Sequence, residues 1–192
     1  MHLVKITTVQ TLEKDLKVII LGDYAVGKTA FICRYIEGKF KTQEPTIGAA
    51  FFLKQWGPYN IAVWDTAGGE RYTGLSSFYC RNAGAAILAY DMSNSMGMKL
   101  DLMTPESRDI TLEEGKKLAR ELNENIDISK LPSDPYFETS SLNGQHVNEV
   151  FEFIFQHCLP LTEAQRKAAF EKNSGTVELT EKDSTKKSCC SK

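Results

Sequence analysis

Long apolar runs are missing from this 192-residue sequence. None approaches the roughly 18 residues that a membrane-crossing helix needs. A basic surplus is missing too. Lys and Arg total 23 against 25 Asp and Glu, a formal net charge of −2, which argues against a general nucleic-acid binder. Met1–Leu16 mixes Lys5, Glu13, Lys14 and Asp15 with short apolar pieces. It lacks the continuous apolar stretch and small-residue cleavage site of a signal peptide, so residues 1–16 read as an N-terminal extension. Cysteine is sparse and unpaired in pattern. Cys33, Cys80, Cys158, Cys189 and Cys190 are odd in number and widely spaced, which fits neither a disulfide framework nor a metal-ligand spacing. His146 and His157 have no cysteine or carboxylate constellation around them. A reducing cytosol suits such a chain.

What is present is an alternation of strand and helix patterns. Lys17–Leu21 is a short apolar run ending in Gly22, the form of a buried strand. Lys28–Ile36 places Ile32, Tyr35 and Ile36 at helical spacing. Ala49–Trp56 and Tyr59–Asp65 are rich in aromatic and aliphatic residues and flank Gly57-Pro58, which predicts a hairpin. Ala85–Asp91 is another strand-length run. Thr111 and Glu114 form a capping-box pattern ahead of a helix to Asn123, with Leu112, Leu118, Ala119 and Leu122 expected on its buried face. Tyr136–Thr139 is a short strand candidate. Asn143–Leu159 carries an apolar stripe of Val147, Val150, Phe151, Ile154, Phe155 and Cys158. From about Leu161 the composition turns polar and charged, so residues 161–192 are expected to form a mobile tail after a domain spanning 17–160. The alternation predicts an α/β, doubly wound, mostly parallel sheet covered by helices. Ligands in such sheets bind beyond the carboxyl ends of the strands.

One motif falls at that edge. Gly22-Asp23-Tyr24-Ala25-Val26-Gly27-Lys28-Thr29 matches G-x-x-x-x-G-K-[ST], after a predicted strand and opening a predicted helix that continues with Ala30. Glycines let the backbone curl so that its N–H groups face phosphates, and the helix N-terminus adds positive potential. Lys28 is expected to reach the outer phosphates and the Thr29 hydroxyl to ligate Mg²⁺. Asp65, at the end of the second hairpin strand, is placed to hold the same cation. An Asp at a strand end is by itself an ordinary turn residue, and the phosphate loop is what gives this one its reading.

Together, Gly22–Thr29, Pro45-Thr46-Ile47-Gly48, Trp64–Tyr72 (WDTAGGERY), Leu88–Asp91 (LAYD) and Glu138–Ser141 (ETSS) resemble the Ras-like small GTPases. The WDTAG-x-ERY and TIG-x-x-F segments and the cysteine pair near the end are similar to the Rab branch. The resemblance runs continuously over 17–91 and in pieces over 98–160. It implies GTP or GDP as the ligand, with Mg²⁺. It implies that Thr46 binds Mg²⁺ and senses the γ-phosphate, and that Gly68 donates its backbone N–H to that phosphate. Phe40 is expected to stack on guanine, although its spacing to Thr46 is about one residue short. Lys99 and Asp101 resemble the end of the guanine-reading N-K-x-D motif, and Ser140 and Ser141 complete the base pocket through backbone N–H. Effectors, exchange proteins and activating proteins are expected to meet Lys41–Phe52 and Trp64–Phe78. Cys189 and Cys190 resemble a doubly prenylated ending, with Lys186 and Lys187 favouring an anionic leaflet. The implied location is the cytoplasmic face of Golgi, endosomal or related membranes, with a cytosolic pool and a monomeric protein.

The sequence departs from that family in four places. Gly69 stands where the family has a glutamine that orients the attacking water. Tyr24 is bulky where the family has a small residue. With Lys28, Thr46, Gly68 and Gly69 as the hydrolytic set, both changes predict slow hydrolysis. Met98 replaces an Asn, and a thioether cannot make the amide's hydrogen bonds. Finally, only six residues separate Asp91 from Met98, fewer than the about 12 of a βαβ crossover. One central strand and one helix are therefore expected to be absent, leaving Ala85–Asp91 without a neighbour unless Tyr136–Thr139 moves in. The reading is a Rab-type GTP-binding switch of endomembrane traffic with slow hydrolysis. The alternative is a pseudo-GTPase or truncated isoform acting as a membrane-tethered interaction module.

Overall fold

The computed structural model describes residues 2–6, 15–68, 78–91 and 110–165. In chain order the elements are β1 (His2–Ile6), β2 (Asp15–Gly22), α1 (Lys28–Glu37), β3 (Ala49–Trp56), β4 (Tyr59–Thr66), β5 (Ala85–Ala89), α2 (Leu112–Leu122), a single 3₁₀ turn at Ile128–Lys130, β6 (Tyr136–Phe137) and α3 (Val147–Cys158). They build one six-stranded sheet in the order β3-β4-β2-β5-β1-β6. β2 pairs in parallel with both β4 and β5. Gly57, at φ 56°, turns the chain between β3 and β4, which pair antiparallel from Ala49–Thr66 to Trp56–Tyr59. β1 runs antiparallel to β5 and to β6. Four strands therefore share one direction, and β1 and β3 oppose them, an α/β sheet of the expected class with mixed edges.

The gap expected beside β5 is not there. His2–Ile6 fills it, pairing along the whole of β5 from His2–Ala89 to Ile6–Ala85. The first residues thus contribute a strand to the sheet rather than standing ahead of it. Tyr136–Phe137 does not move beside β5. It pairs with β1 through His2–Phe137 and Leu3–Tyr136.

The core lies mainly between the sheet and the α1/α3 pair. Val18, Ile20, Ile61, Val63 and Ile87 are fully buried there with Phe31, Ile32, Phe151, Ile154 and Phe155. Phe151 stacks on Tyr35 at 3.8 Å and on Phe31 at 5.3 Å between ring centroids. The predicted α3 stripe is buried or half-buried as read, and Phe153 joins it against Phe137 at 5.4 Å. Trp56 reaches the same core beside Phe155.

α2 buries a different face from the one its spacing suggests. Its capping box forms as read, with Thr111 Oγ1 accepting from the Glu114 amide and the Glu114 carboxylate accepting from the Thr111 amide. Its buried residues, however, are Gly115 and Ala119, while Leu112 and Leu118 remain 42% and 45% exposed. The reason is Tyr136. Its ring lies so close that a Cβ on Gly115 would sit 2.0 Å from Cε2, so only a residue without a side chain can face it. Asn123, also buried, closes the helix by donating from Nδ2 to the Ala119 carbonyl. Among the described residues, no helix is long and apolar enough to cross a membrane.

Candidate nucleotide site

The carboxyl ends of β2, β4 and β5 lie side by side, and the candidate residues gather there. β2 ends at Gly22, whose absent Cβ would meet the Ala89 carbonyl oxygen at 2.2 Å. The chain then curls through Ala25 (φ 60°) and Gly27 (φ 92°) into α1. Gly27 is the N-cap and makes no side-chain cap, and no acidic residue stands in the first turn. The first amides of α1 are therefore offered to a ligand at the positive end of the helix.

Lys28 is only 5% exposed. Its Nζ donates to the carbonyls of Gly22 (2.9 Å) and Asp23 (2.7 Å), which holds the ammonium inside the loop. Burial lowers its pKa, and the nearby Asp65 and Asp23 carboxylates oppose that shift. Gly68 closes the loop from the far side. A Cβ there would lie 2.5 Å from the Asp23 carbonyl oxygen and 2.7 Å from Lys28 Nζ.

Beside Lys28 three oxygen side chains converge. Thr29 Oγ1 donates to Asp65 Oδ2 at 2.7 Å, Thr46 Oγ1 donates to the same oxygen at 3.2 Å, and the two hydroxyls are 2.9 Å apart. Asp65 is fully buried, and its Oδ1 finds no hydrogen-bond partner among the described residues. Burial raises its pKa, while the two threonine hydroxyls and Lys28 work to keep it ionised. A buried carboxylate with an unmet oxygen, flanked by two hydroxyls, is a hard-oxygen donor set. It fits a small divalent cation such as Mg²⁺ better than a soft metal. Thr66 is buried for a different reason, since its Oγ1 ties the end of β4 to the Ile20 carbonyl at 2.6 Å.

A cleft of about 790 Å³ opens over these groups. Asp23, Tyr24, Ala25, Gly27, Lys28, Thr29, Ala30, Phe40, Thr46 and Gly68 line it. Val26 packs instead against the core. Tyr24 is 62% exposed on the rim. Thr42, Gln43, Glu44 and Pro45 also line the cleft. That stretch was expected only to meet partners, because nothing in its residue types marks a ligand wall.

The loop after β6, expected to serve the base, is organised by other contacts. Ser140 and Ser141 are buried and do not line this cleft. The Ser140 amide, expected to serve the base, donates to the Gln145 carbonyl at 3.1 Å. Arg34 of α1 fastens the loop after β6 by donating from Nη2 to the Asn143 carbonyl at 2.9 Å. Nothing in the residue pattern signals that link across 109 residues. Gly69, Met98, Lys99, Asp101, Cys189 and Cys190 lie outside the described residues.

Comparison with known proteins agrees with this geometry. The Ras family model matches residues 17–96. Ras-related protein Rab-20 of Homo sapiens is 31% identical, over 92% of this chain and 98% of its own length. GTP-binding protein ypt5 of Schizosaccharomyces pombe is 36% identical over 86% and 87% of the two chains. Ras-related protein Rab-24 of Dictyostelium discoideum is 31% identical over 92% and 96%. The human alignment runs over 232 positions against a chain of 192 residues, so the relative carries segments that this chain lacks. With its phosphate loop, threonine pair and buried aspartate in place, the chain belongs to the Rab branch of the Ras-related GTPases.

Proposed function

We propose that this protein is a GTP-binding switch of Rab type in membrane traffic. The observation that carries the reading is the convergence of Thr29, Thr46 and Asp65 beside the buried Lys28. Thr29 opens a helix and Asp65 ends a strand, so both are fixed. Thr46 lies in a segment without regular structure, so its position depends on what the other two hold. Bound Mg²⁺ would neutralise charge on the β- and γ-phosphates, held by Thr29, Thr46 and, through water, Asp65. Lys28 and the loop amides bind the phosphate oxygens. Loss of the γ-phosphate removes the ligand that fastens Thr46, and the segment around it is released.

Hydrolysis is expected to be slow. Gly69 has no side chain to orient water, and Tyr24 stands on the rim of the phosphate cleft. The surface beside Thr46 suits regulators and effectors. Ile47, Phe51 and Leu53 are 85%, 57% and 68% exposed, and Trp64 sits between Phe51 and Tyr79 at 5.8 and 6.0 Å. Exposed apolar and aromatic groups on a rigid strand pair make an interaction site. Cys189 and Cys190 as prenylation sites would add membrane attachment on the cytoplasmic face of endomembranes.

The test is the nucleotide released on denaturing the purified protein. About one GDP or GTP per chain is expected, and empty protein that does not take up guanine nucleotide with Mg²⁺ would overturn the reading. Single-turnover hydrolysis follows. Gly69→Gln is expected to speed it, and a wild-type rate already equal to that of an ordinary Rab would refute the slow-hydrolysis argument.

A further inference from the structure

We propose that His2–Ile6 is a replacement strand that joins the phosphate-binding half of the sheet to the half carrying the Ser140 loop, and that nucleotide binding depends on it. Among the described strands, β1 is the one that joins the two parts of the sheet. β3, β4, β2 and β5 form one block around the phosphate loop, and β6 reaches that block through β1. β6 has two residues and its recorded strand pairing is with β1. Those two residues anchor both cores, Phe137 against Phe153 and Tyr136 against Ala119, and the chain runs directly from them into Glu138–Ser141. α2 and α3 both approach β1 as well. Without β1, β5 becomes an edge strand with unpaired amides and carbonyls, although Ala85 and Ile87 are fully buried.

The reversed direction of β1 is consistent with a substitute. A sheet slot needs hydrogen-bond partners on both sides, and either polarity supplies them. Reversal puts His2 at the ligand edge, opposite Ala89 and Phe137, and Ile6 at the far edge, opposite Ala85. Ile6 therefore lies at the same end of the sheet as the start of β2, two strand positions away, about 10 Å in the pairing direction.

Two full-length variants test this. Val4→Pro takes the backbone N–H out of the middle of β1 and fixes its φ. Amide exchange over Ala85–Ala89 and Tyr136–Phe137 is expected to accelerate about tenfold or more, with nucleotide retention falling in parallel. Wild-type exchange rates in β5 would overturn the proposal. Lys5→Cys with Ala86→Cys places thiols on directly opposed residues, a geometry that suits a cross-strand disulfide. After oxidation, a mass-mapped 5–86 bond within one chain is expected, with nucleotide retained. No bond, or a bond only between chains, overturns it. The nucleotide readout rests on the proposed function; the exchange rates and the disulfide do not, so the two readings fail separately.

Discussion

Gly115→Ala sets helix propensity against packing. In an isolated helix the change would stabilise by about 1 kcal/mol, because glycine is a poor helix former. Here the added Cβ would lie 2.0 Å from Cε2 and 2.5 Å from Cζ of Tyr136. Ordinary contact is about 3.5 Å, so the ring or the helix must move by more than an ångström. The ring has little room. Tyr136 is 7% exposed, its backbone is paired with β1, and its hydroxyl bonds Glu138 Oε1 at 3.0 Å. Overpacking of this kind costs about 1–3 kcal/mol, and a displacement this large belongs at the upper end. The net expectation is a loss of about 2 kcal/mol. In urea unfolding the midpoint should fall with an unchanged slope, and Tm should drop by about 4–8 °C for a chain of this size. A companion Tyr136→Leu variant should remove most of the penalty of adding the methyl group. A Gly115→Ala protein as stable as wild type, or more so, would refute the argument.

Three further outcomes follow from the site. Thr29→Val keeps the shape but removes the hydroxyl from Asp65 and Thr46, so nucleotide retention should lose its dependence on Mg²⁺ while retention in EDTA changes little. Retention that stays Mg²⁺-dependent would show that Thr29 is not a ligand. Arg34→Ala frees the 140–146 loop from α1, and guanine-nucleotide affinity should weaken about tenfold, the worth of one charge-assisted hydrogen bond; calorimetry that finds no change would show the loop is held without it. Cys158 has its pKa pushed up to about 12 by burial and Cys33 is buried, so alkylation at pH 8 followed by peptide mapping should modify exposed Cys80 and spare both until the protein unfolds.

The phosphate half was legible because its chemistry is contiguous in sequence. Gly22–Thr29 is a single motif, and the strand before it and the helix after it follow from short-range pattern. Asp65 was legible through its place at the end of a hairpin strand. The role of Thr46 rested on resemblance alone, and its bond to Asp65 was not foreseen, since nothing in an irregular segment announces which carboxylate it will meet. The buried face of α2 was only half legible. Helical spacing makes Leu112 and Leu118 look like core, and nothing near Gly115 in the sequence signals that a ring will pack against it. Tyr136, distant in sequence, decides which face is buried. β1 was missed for a related reason. Five residues, His-Leu-Val-Lys-Ile, carry too little alternation to stand out, and their value comes from the slot they enter.

That contrast bears on how the shortened chain can keep a nucleotide site. The phosphate loop, Thr29 and Asp65 are carried by β2, α1 and β4, which pair with one another without help from the altered region. The loop after β6 has no such independence. It is tied to the phosphate half by Arg34 on one side and by β1 on the other. On the expectation, from resemblance, that this loop serves the base, damage to β1 should reach guanine recognition before it reaches the phosphates. In Val4→Pro, affinity for GDP should fall by a larger factor than affinity for inorganic triphosphate, measured by competition in the same buffer with Mg²⁺. Equal losses for both ligands would mean that the sheet fails as one unit, and that β1 serves the phosphate loop as much as the base.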